Sequence, residues 1–243
     1  MANILYIHGF GSNHNSGSFL ALKDVFKEHN FFSSDFDLLD VKGTLEKIGK
    51  LCEEHEIDLV MGKSLGGFYA LAYEGEQDKA VINPCIKPWI EIPKLDDSIP
   101  SELLEEWEQL FKKTEENIDS KRRSNTFGIF GDHDQLFSYK DYFDKHYYPH
   151  SASLQKSFLV PGNHHIDIDV LKVAVQKCLD FFDMMEEYDY VFSLMPYYQL
   201  IKDPDDDYLQ NMSQGEKQHI IDSIDRYHDK MIEYQNNKIF ETD

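Results

Sequence analysis

The sequence predicts an α/β fold: a doubly wound, mostly parallel sheet of six strands, with a helical insertion and a helical C-terminal extension. Three observations predict it. Short apolar runs alternate with stretches of helical periodicity, which implies parallel strands covered on both faces by helices. Glycine-containing turns close several of those runs, at His8-Gly9-Phe10-Gly11, Gly62-Lys63-Ser64-Leu65-Gly66, Gly131-Asp132 and Pro161-Gly162. The residues of chemical interest sit at these C-terminal strand ends, where open α/β sheets bind ligands.

Asn3 to Ile7 is a short apolar run entering a glycine loop, and reads as a buried first strand. Phe19, Leu22, Val25 and Phe26 then mark one face of a helix. Phe36 to Val41 reads as the second strand, and Thr44 to His55 as a helix turning Leu45, Ile48, Leu51 and Cys52 inward. Ile57 to Met61 supplies the third strand, which stops at Gly62, and a second apolar run of helical spacing follows. Ala80 to Asn83, ended by Pro84, is the fourth strand, Thr126 to Phe130 the fifth and Ser157 to Val160 the sixth. A helix from Val170 to Phe182 closes the series.

Two segments stand outside this alternation, and the expected organisation is a domain of residues 1–183 and an extension of residues 184–243. Residues 85–123 carry Pro88, Pro93 and Pro100 and then a helix from about Ser101, its N-cap, with Leu103, Leu104, Trp107, Leu110 and Phe111 in one stripe. An insertion here is placed to act as a lid or cap. The same stripe also fits a helix packed on the core. The extension is acidic at Asp205, Asp206 and Asp207, rich in tyrosine, and contains a helix from Ser213 with Ile220, Ile221, Ile224, Tyr227 and Met231 along one side. It reads either as an appendage docked on the domain or as a dimerisation element making a homo-oligomer.

The chain has 243 residues and a net charge of −21, from 24 Lys+Arg against 45 Asp+Glu, which opposes nucleic-acid binding. The longest basic run, Lys121-Arg122-Arg123, reads as a solvated loop. Cys52, Cys85 and Cys178 lie far apart, odd in number and without metal-ligand spacing. No signal peptide or membrane-span window is read, and the expected location is the cytoplasm.

Gly62-Lys63-Ser64-Leu65-Gly66 fits the nucleophile-elbow pattern, a strand-to-helix turn with serine at its apex. Serine needs a base to take its proton and a carboxylate to orient that base. On this architecture the order is Ser, then acid, then His, each on a loop after a strand. The chain supplies Ser64, then Asp132 or Asp134, then His164 or His165. Asp134 is preferred for its spacing from Gly131 and the apolar residue three positions on; Asp132 suits a turn cap. His164 is preferred because it directly follows Gly162-Asn163. Oxyanion donors are expected at the backbone N–H groups of Leu65 and Phe10. His8 reads as a structural residue of its loop, and Lys63 as a solvated lysine, with attraction of an anionic substrate as the alternative. Leu103, Trp107 and Phe111 are the expected lining of an acyl pocket.

Two rival readings are weaker. Asp132-His133-Asp134 and Asn163-His164-His165-Ile166-Asp167 resemble loops of metal-dependent phosphoesterases, but that plan needs an Asp-x-His near the first strand, which here ends Tyr6-Ile7-His8-Gly9. A non-catalytic interaction protein on a hydrolase scaffold, binding through its tail, is the other.

Taken together, Leu5-Tyr6-Ile7-His8-Gly9-Phe10 with Ser12, Gly62 to Ala70, Val81-Ile82-Asn83-Pro84, Gly131 to Tyr139 and Gly162-Asn163-His164 resemble the small bacterial YqiA-like esterases of the α/β-hydrolase superfamily. The resemblance spans Met1 to Phe182. It implies the α/β-hydrolase fold, hydrolysis of a small-molecule acyl ester or thioester, no cofactor or metal, and Ser64, Asp134 and His164 as a triad. The chain departs from the family at Lys63, where a small residue is frequent, and in the tail after Phe182.

Overall fold

The computed structural model describes residues 1–118, 126–147, 156–202 and 212–236. The basic run Lys121-Arg122-Arg123 and the acidic run Asp205-Asp206-Asp207 lie outside the described residues. The chain divides into two compact units, Met1–Val175 and Gln176–Asp243.

The first unit is built on a six-stranded sheet of β1 (Asn3–Ile7), β2 (Asn30–Ser33), β3 (Leu59–Lys63), β4 (Asp78–Ile82), β5 (Thr126–Gly131) and β6 (Ser157–Val160). Their order is β2-β1-β3-β4-β5-β6 and every pairing is parallel. Parallel strands need crossovers, which α1 (Gly17–Val25), α2 (Val41–Glu54), α3 (Leu65–Ala72), α4 (Pro88–Glu91), α5 (Ser101–Glu116) and α6 (Lys140–Tyr147) help to supply. β3 is buried at all five positions, as expected of a strand covered on both faces. The chain runs from β1 outward to β2 and returns to the other side of β1 as β3. The crevice beyond the C-terminal ends of β1 and β3 is therefore the topological switch point, where open α/β sheets hold ligands.

The second strand departs from expectation. Phe36 to Val41 is not extended; β2 is the preceding NFFS run, in register with β1 from Asn3↔Asn30 to Tyr6↔Ser33. Aspartates decide it. Asp37 accepts from Leu39 N–H at 3.2 Å through its side chain and from Asp40 N–H at 2.9 Å through its carbonyl, while the Asp40 carboxylate accepts from Gly43 N–H and caps α2. Short polar side chains that satisfy nearby backbone favour turns and caps over ladders. Phe36 and Leu38 are buried all the same. Helix α2 thus starts at Val41, ahead of the expected Thr44.

Smaller differences follow from single residues. β4 ends before Asn83, which adopts φ 42°. Pro100, not Ser101, is the N-cap of α5. Val25 at the end of α1 is exposed, while Phe19, Leu22 and Phe26 are buried. Within 85–123, Ile86, Ile92, Leu103 and Trp107 join the core cluster that also holds Leu65, Phe68 and Tyr69. Trp107 is fully buried, and its indole N–H donates to Tyr69 Oη at 2.9 Å; that hydroxyl in turn donates to the Leu38 carbonyl at 2.7 Å.

The helix expected to end at Phe182 continues: α7 runs from Ile168 to Lys202, with Pro196 inside it. The division into units falls within this helix. The second unit holds the later part of α7 and α8 (Gln214–Asn236). Ser213 and Glu216 form a reciprocal cap at the start of α8, Ser213 Oγ accepting from Glu216 N–H and Glu216 Oε2 from Ser213 N–H. Ile220, Ile224 and Tyr227 are buried along α8. Within this unit the Tyr188 and Tyr227 rings lie 6.3 Å apart, and Lys230 pairs with Glu187. Among the described residues no helix is long and apolar enough to cross a membrane.

Candidate active site

The turn after β3 is sharp because its backbone has no room to be otherwise. A Cβ on Gly62 would stand 2.2 Å from the Gly66 carbonyl oxygen, so only glycine lets the strand and the helix start approach this closely. Ser64 sits at φ 55°, ψ −123°, a sparsely populated region that costs on the order of 1–3 kcal/mol. It is the N-cap residue of α3, yet its side chain makes no capping hydrogen bond. Its backbone carries the turn instead: Ser64 N–H donates to the Ile82 carbonyl, and the Ser64 carbonyl accepts from Gly67 and Cys85 N–H groups. The hydroxyl is thereby left for other partners.

Ser64 lines a cavity of about 370 Å³ at the switch point, together with Tyr6, Phe10, Ser18, Lys63 and His164, and all its lining residues belong to Met1–Val175. The loop after β1 closes against the serine, since a Cβ on Gly9 would lie 3.0 Å from Ser64 Cβ. His8 is buried and shapes that loop: its Nε2 accepts from Phe36 N–H at 3.2 Å and its Nδ1 donates to the Gly9 carbonyl at 3.0 Å.

His164, on the loop after β6, donates from Nδ1 to Asp134 Oδ2 at 2.9 Å. Little of either side chain reaches solvent, at 11% and 3% exposure respectively, and Phe137 packs edge-on against the imidazole with ring centroids 4.9 Å apart. Asp134 Oδ1 accepts from Leu136 and Phe137 N–H groups at 2.8 and 3.1 Å. Burial alone pushes the Asp134 carboxyl up, but the His164 and backbone hydrogen bonds outweigh it and hold the group below its ordinary value. Asp132 faces elsewhere: its Oδ1 accepts from Gly162 N–H at 2.9 Å and from His133 Nδ1 at 2.6 Å, tying the β5 and β6 loops together. His165 also lines the cavity, its pKa lowered by burial and then by the Lys63 charge.

A family model described as an uncharacterised protein family, UPF0227, matches residues 3–182. The chain belongs to UPF0227. This is the YqiA-like family that its motifs resemble. No curated protein matches the sequence. Among solved structures, this UPF0227 chain is similar to Est1E from Butyrivibrio proteoclasticus with ferulic acid bound: 17% identity over 77% of this chain and 89% of that one, TM-score 0.52. It is also similar to an extracellular α/β-hydrolase from a Paenibacillus species (10% identity, 73% and 99% coverage, TM-score 0.49). A third is the capsule O-acetyltransferase of Neisseria meningitidis serogroup A in complex with CoA (14%, 76% and 87%, 0.48). The UPF0227 chain thus has the α/β-hydrolase fold, and its likeness to Est1E is one of fold.

Of the residues expected at the site, the UPF0227 chain brings Ser64, Phe10 and His164 to one cavity, with Asp134 behind His164. Leu65, the first residue of α3, has its side chain in the core, and its backbone N–H precedes any intrahelical acceptor. Leu103, Trp107 and Phe111 are not among the residues lining this cavity. Leu103 and Trp107 belong to the core, and Phe111 packs between Trp89 and Tyr142, at 4.9 and 6.1 Å between ring centroids. Within the α5 stripe Leu103 and Trp107 are buried, Trp107 against Tyr69 of α3, while Leu104, Leu110 and Phe111 are half-buried. The insertion reaches the cavity through Leu95 instead, which lines it with Leu136.

Two residues gain a place that their sequence context does not announce. Lys63 is buried, not solvated: it is 9% exposed and its Nζ donates to Ser18 Oγ at 3.0 Å. Asn83, also buried, accepts Gly131 N–H at 2.7 Å and donates to the carbonyls of Asn163 at 3.1 Å and His164 at 3.4 Å. One side chain thereby joins the start of the Asp134 loop to the His164 loop. Among the described residues no group of three or more His, Cys, Asp or Glu side chains is arranged to hold a metal ion.

Proposed function

We propose that this protein is a serine hydrolase that cleaves a carboxylic ester or thioester through an acyl-serine intermediate. The observation that carries the reading is the His164–Asp134 pair opening on the same cavity as Ser64, whose strained backbone leaves its hydroxyl uncommitted. In the reaction His164 takes the Ser64 proton through Nε2 as the hydroxyl oxygen attacks the acyl carbon. Asp134, accepting from Nδ1, holds that tautomer and stabilises the imidazolium that forms. The tetrahedral oxyanion is held by the backbone N–H of Leu65, at the positive end of α3, and by that of Phe10 across the cavity. His164 then gives its proton to the leaving alcohol or thiol, and water attacks the acyl-serine by the same route in reverse.

The test pairs labelling by a fluorophosphonate probe with turnover of p-nitrophenyl esters by the full chain. Labelling and turnover, both abolished in Ser64→Ala, are expected. Turnover that survives Ser64→Ala would refute the acyl-serine mechanism.

A further inference from the structure

We propose that the cavity beside Ser64 is a receptor for an anionic group, with the Lys63 ammonium as its donor, and that the substrate accordingly carries a carboxylate or phosphate. The anion site itself stands on geometry; its assignment to a substrate rests on the hydrolase reading above.

Lys63 is the last residue of β3, one position before Ser64, so its side chain and the serine share the same cavity wall. An ammonium has three N–H donors, and Ser18 Oγ accepts one of them. Among the described residues no carboxylate lies within ion-pairing distance of Lys63, whereas Lys94, Lys140 and Lys172 each reach a nearby Glu or Asp. Buried cations are ordinarily paired. Here the remaining donors belong to a side chain that lines an open volume.

The surroundings have a matching character. In a chain with 45 Asp+Glu, none of the side chains lining this cavity is a carboxylate. Asp134 is the nearby acid, and its oxygens are already taken by His164, Leu136 and Phe137. Ser18 is held in turn by donating its O–H to the Tyr6 phenol, whose pKa burial nevertheless pushes up to about 12, so that Tyr6 stays a neutral hydroxyl. Burial lowers the Lys63 pKa and the Asp134 charge raises it. An incoming anion would act in the same sense as Asp134, favouring the ammonium. The volume, near the lower end of the range for small-molecule sites, suits a short substrate with a charged terminus better than a long acyl chain.

The test measures binding and turnover separately. Calorimetric titration of full-length Ser64→Ala protein with monomethyl succinate and with neutral dimethyl succinate reads the anion site without catalysis. The half-ester is expected to bind at least tenfold more tightly. That advantage should vanish in the Ser64→Ala, Lys63→Met double variant and be partly kept with Lys63→Arg. Equal binding of the two esters, or an advantage that survives Lys63→Met, overturns the proposal. Competition by inorganic phosphate would identify phosphate as an accepted group; its absence, with half-ester binding intact, identifies a carboxylate. If the half-ester binds through Lys63 but the wild type neither hydrolyses it nor takes the fluorophosphonate, the anion site stands and the hydrolase reading falls. If neutral esters are hydrolysed and the half-ester has no advantage in binding, the reverse holds.

Discussion

Asn83 is the residue whose removal tests most sharply how this site is assembled. Asn83→Ala deletes one hydrogen bond from Gly131 N–H at 2.7 Å and two to the Asn163 and His164 carbonyls. Each good bond contributes about 1 kcal/mol net, and leaving the Gly131 donor without a partner adds about 1–2 kcal/mol. Asparagine also tolerates the left-handed φ of 42° that the backbone adopts here, whereas alanine pays roughly 1 kcal/mol for it. Counting the two shorter bonds, the stranded donor and the backbone strain, the expected loss of stability is about 4–5 kcal/mol, read as the shift in urea midpoint at constant m-value. Asn83→Gly should lose about 1 kcal/mol less, because glycine accepts the φ and lacks the same bonds. The Asp132–Gly162 contact still ties the two loops, so they should loosen, not separate, and kcat/KM for p-nitrophenyl acetate should fall about 10²-fold. If Asn83→Gly is no more stable than Asn83→Ala, the backbone argument is wrong. If kcat/KM stays within about twofold while stability falls as expected, Asn83 does not position the site.

Asp134→Asn should lower kcat by about 10³–10⁴ with little change in KM, and Asp132→Asn should not; the opposite ranking would reassign the acid. Because the folded pKa of Asp134 lies below its ordinary 3.8, its contribution to stability is present above that value and is lost as pH falls through the lower folded one. The stability gap between wild type and Asp134→Asn should thus close in urea titrations below about pH 4 and stay constant from there to neutrality. Trp107→Phe removes the bond to Tyr69 and leaves a void in the core, a cost of about 2–3 kcal/mol, with acyl-chain preference across acetate to hexanoate esters unchanged. A change in that preference would return α5 to the substrate pocket.

The parts of the molecule legible in the sequence are those whose cause is local. The run Ile57 to Met61, the glycines around Ser64 and the apolar residues after it describe β3, the turn and α3 without reference to anything distant. The choice of Asp134 and His164 follows from spacing within single loops, and the structure pairs these two side chains. The edge strand β2 was harder to read: it is four residues long, and its two phenylalanines are adjacent, so no alternation marks it. The periodicity of α5 indicates an apolar face but not what that face covers, which is why Trp107 is legible as buried and not as a core residue under α3. Asn83 and Lys63 are illegible for a different reason. The partners of Asn83 lie as far as 81 residues away in sequence, and that of Lys63 lies 45 away. Burial of a lysine depends on a serine loop that only the fold brings to it.

The strand order has a consequence for how the chain is made. β1 pairs first with β2, then β3 docks on its other edge, and β4, β5 and β6 each add to the strand before them, so every strand leaving the ribosome meets a finished partner. The sheet can grow vectorially, one edge at a time. The Ser64 turn is in place once β4 has been added, because Ile82 and Cys85 supply its backbone partners; Cys85 leaves the ribosome about 80 residues ahead of His164, a lag of about 4–16 s at ordinary rates of synthesis. During that interval the nascent chain carries the Ser64 turn without the His164–Asp134 pair. On the proposed mechanism, hydrolytic competence then arrives only with the closing strand, β6, and the loop that follows it.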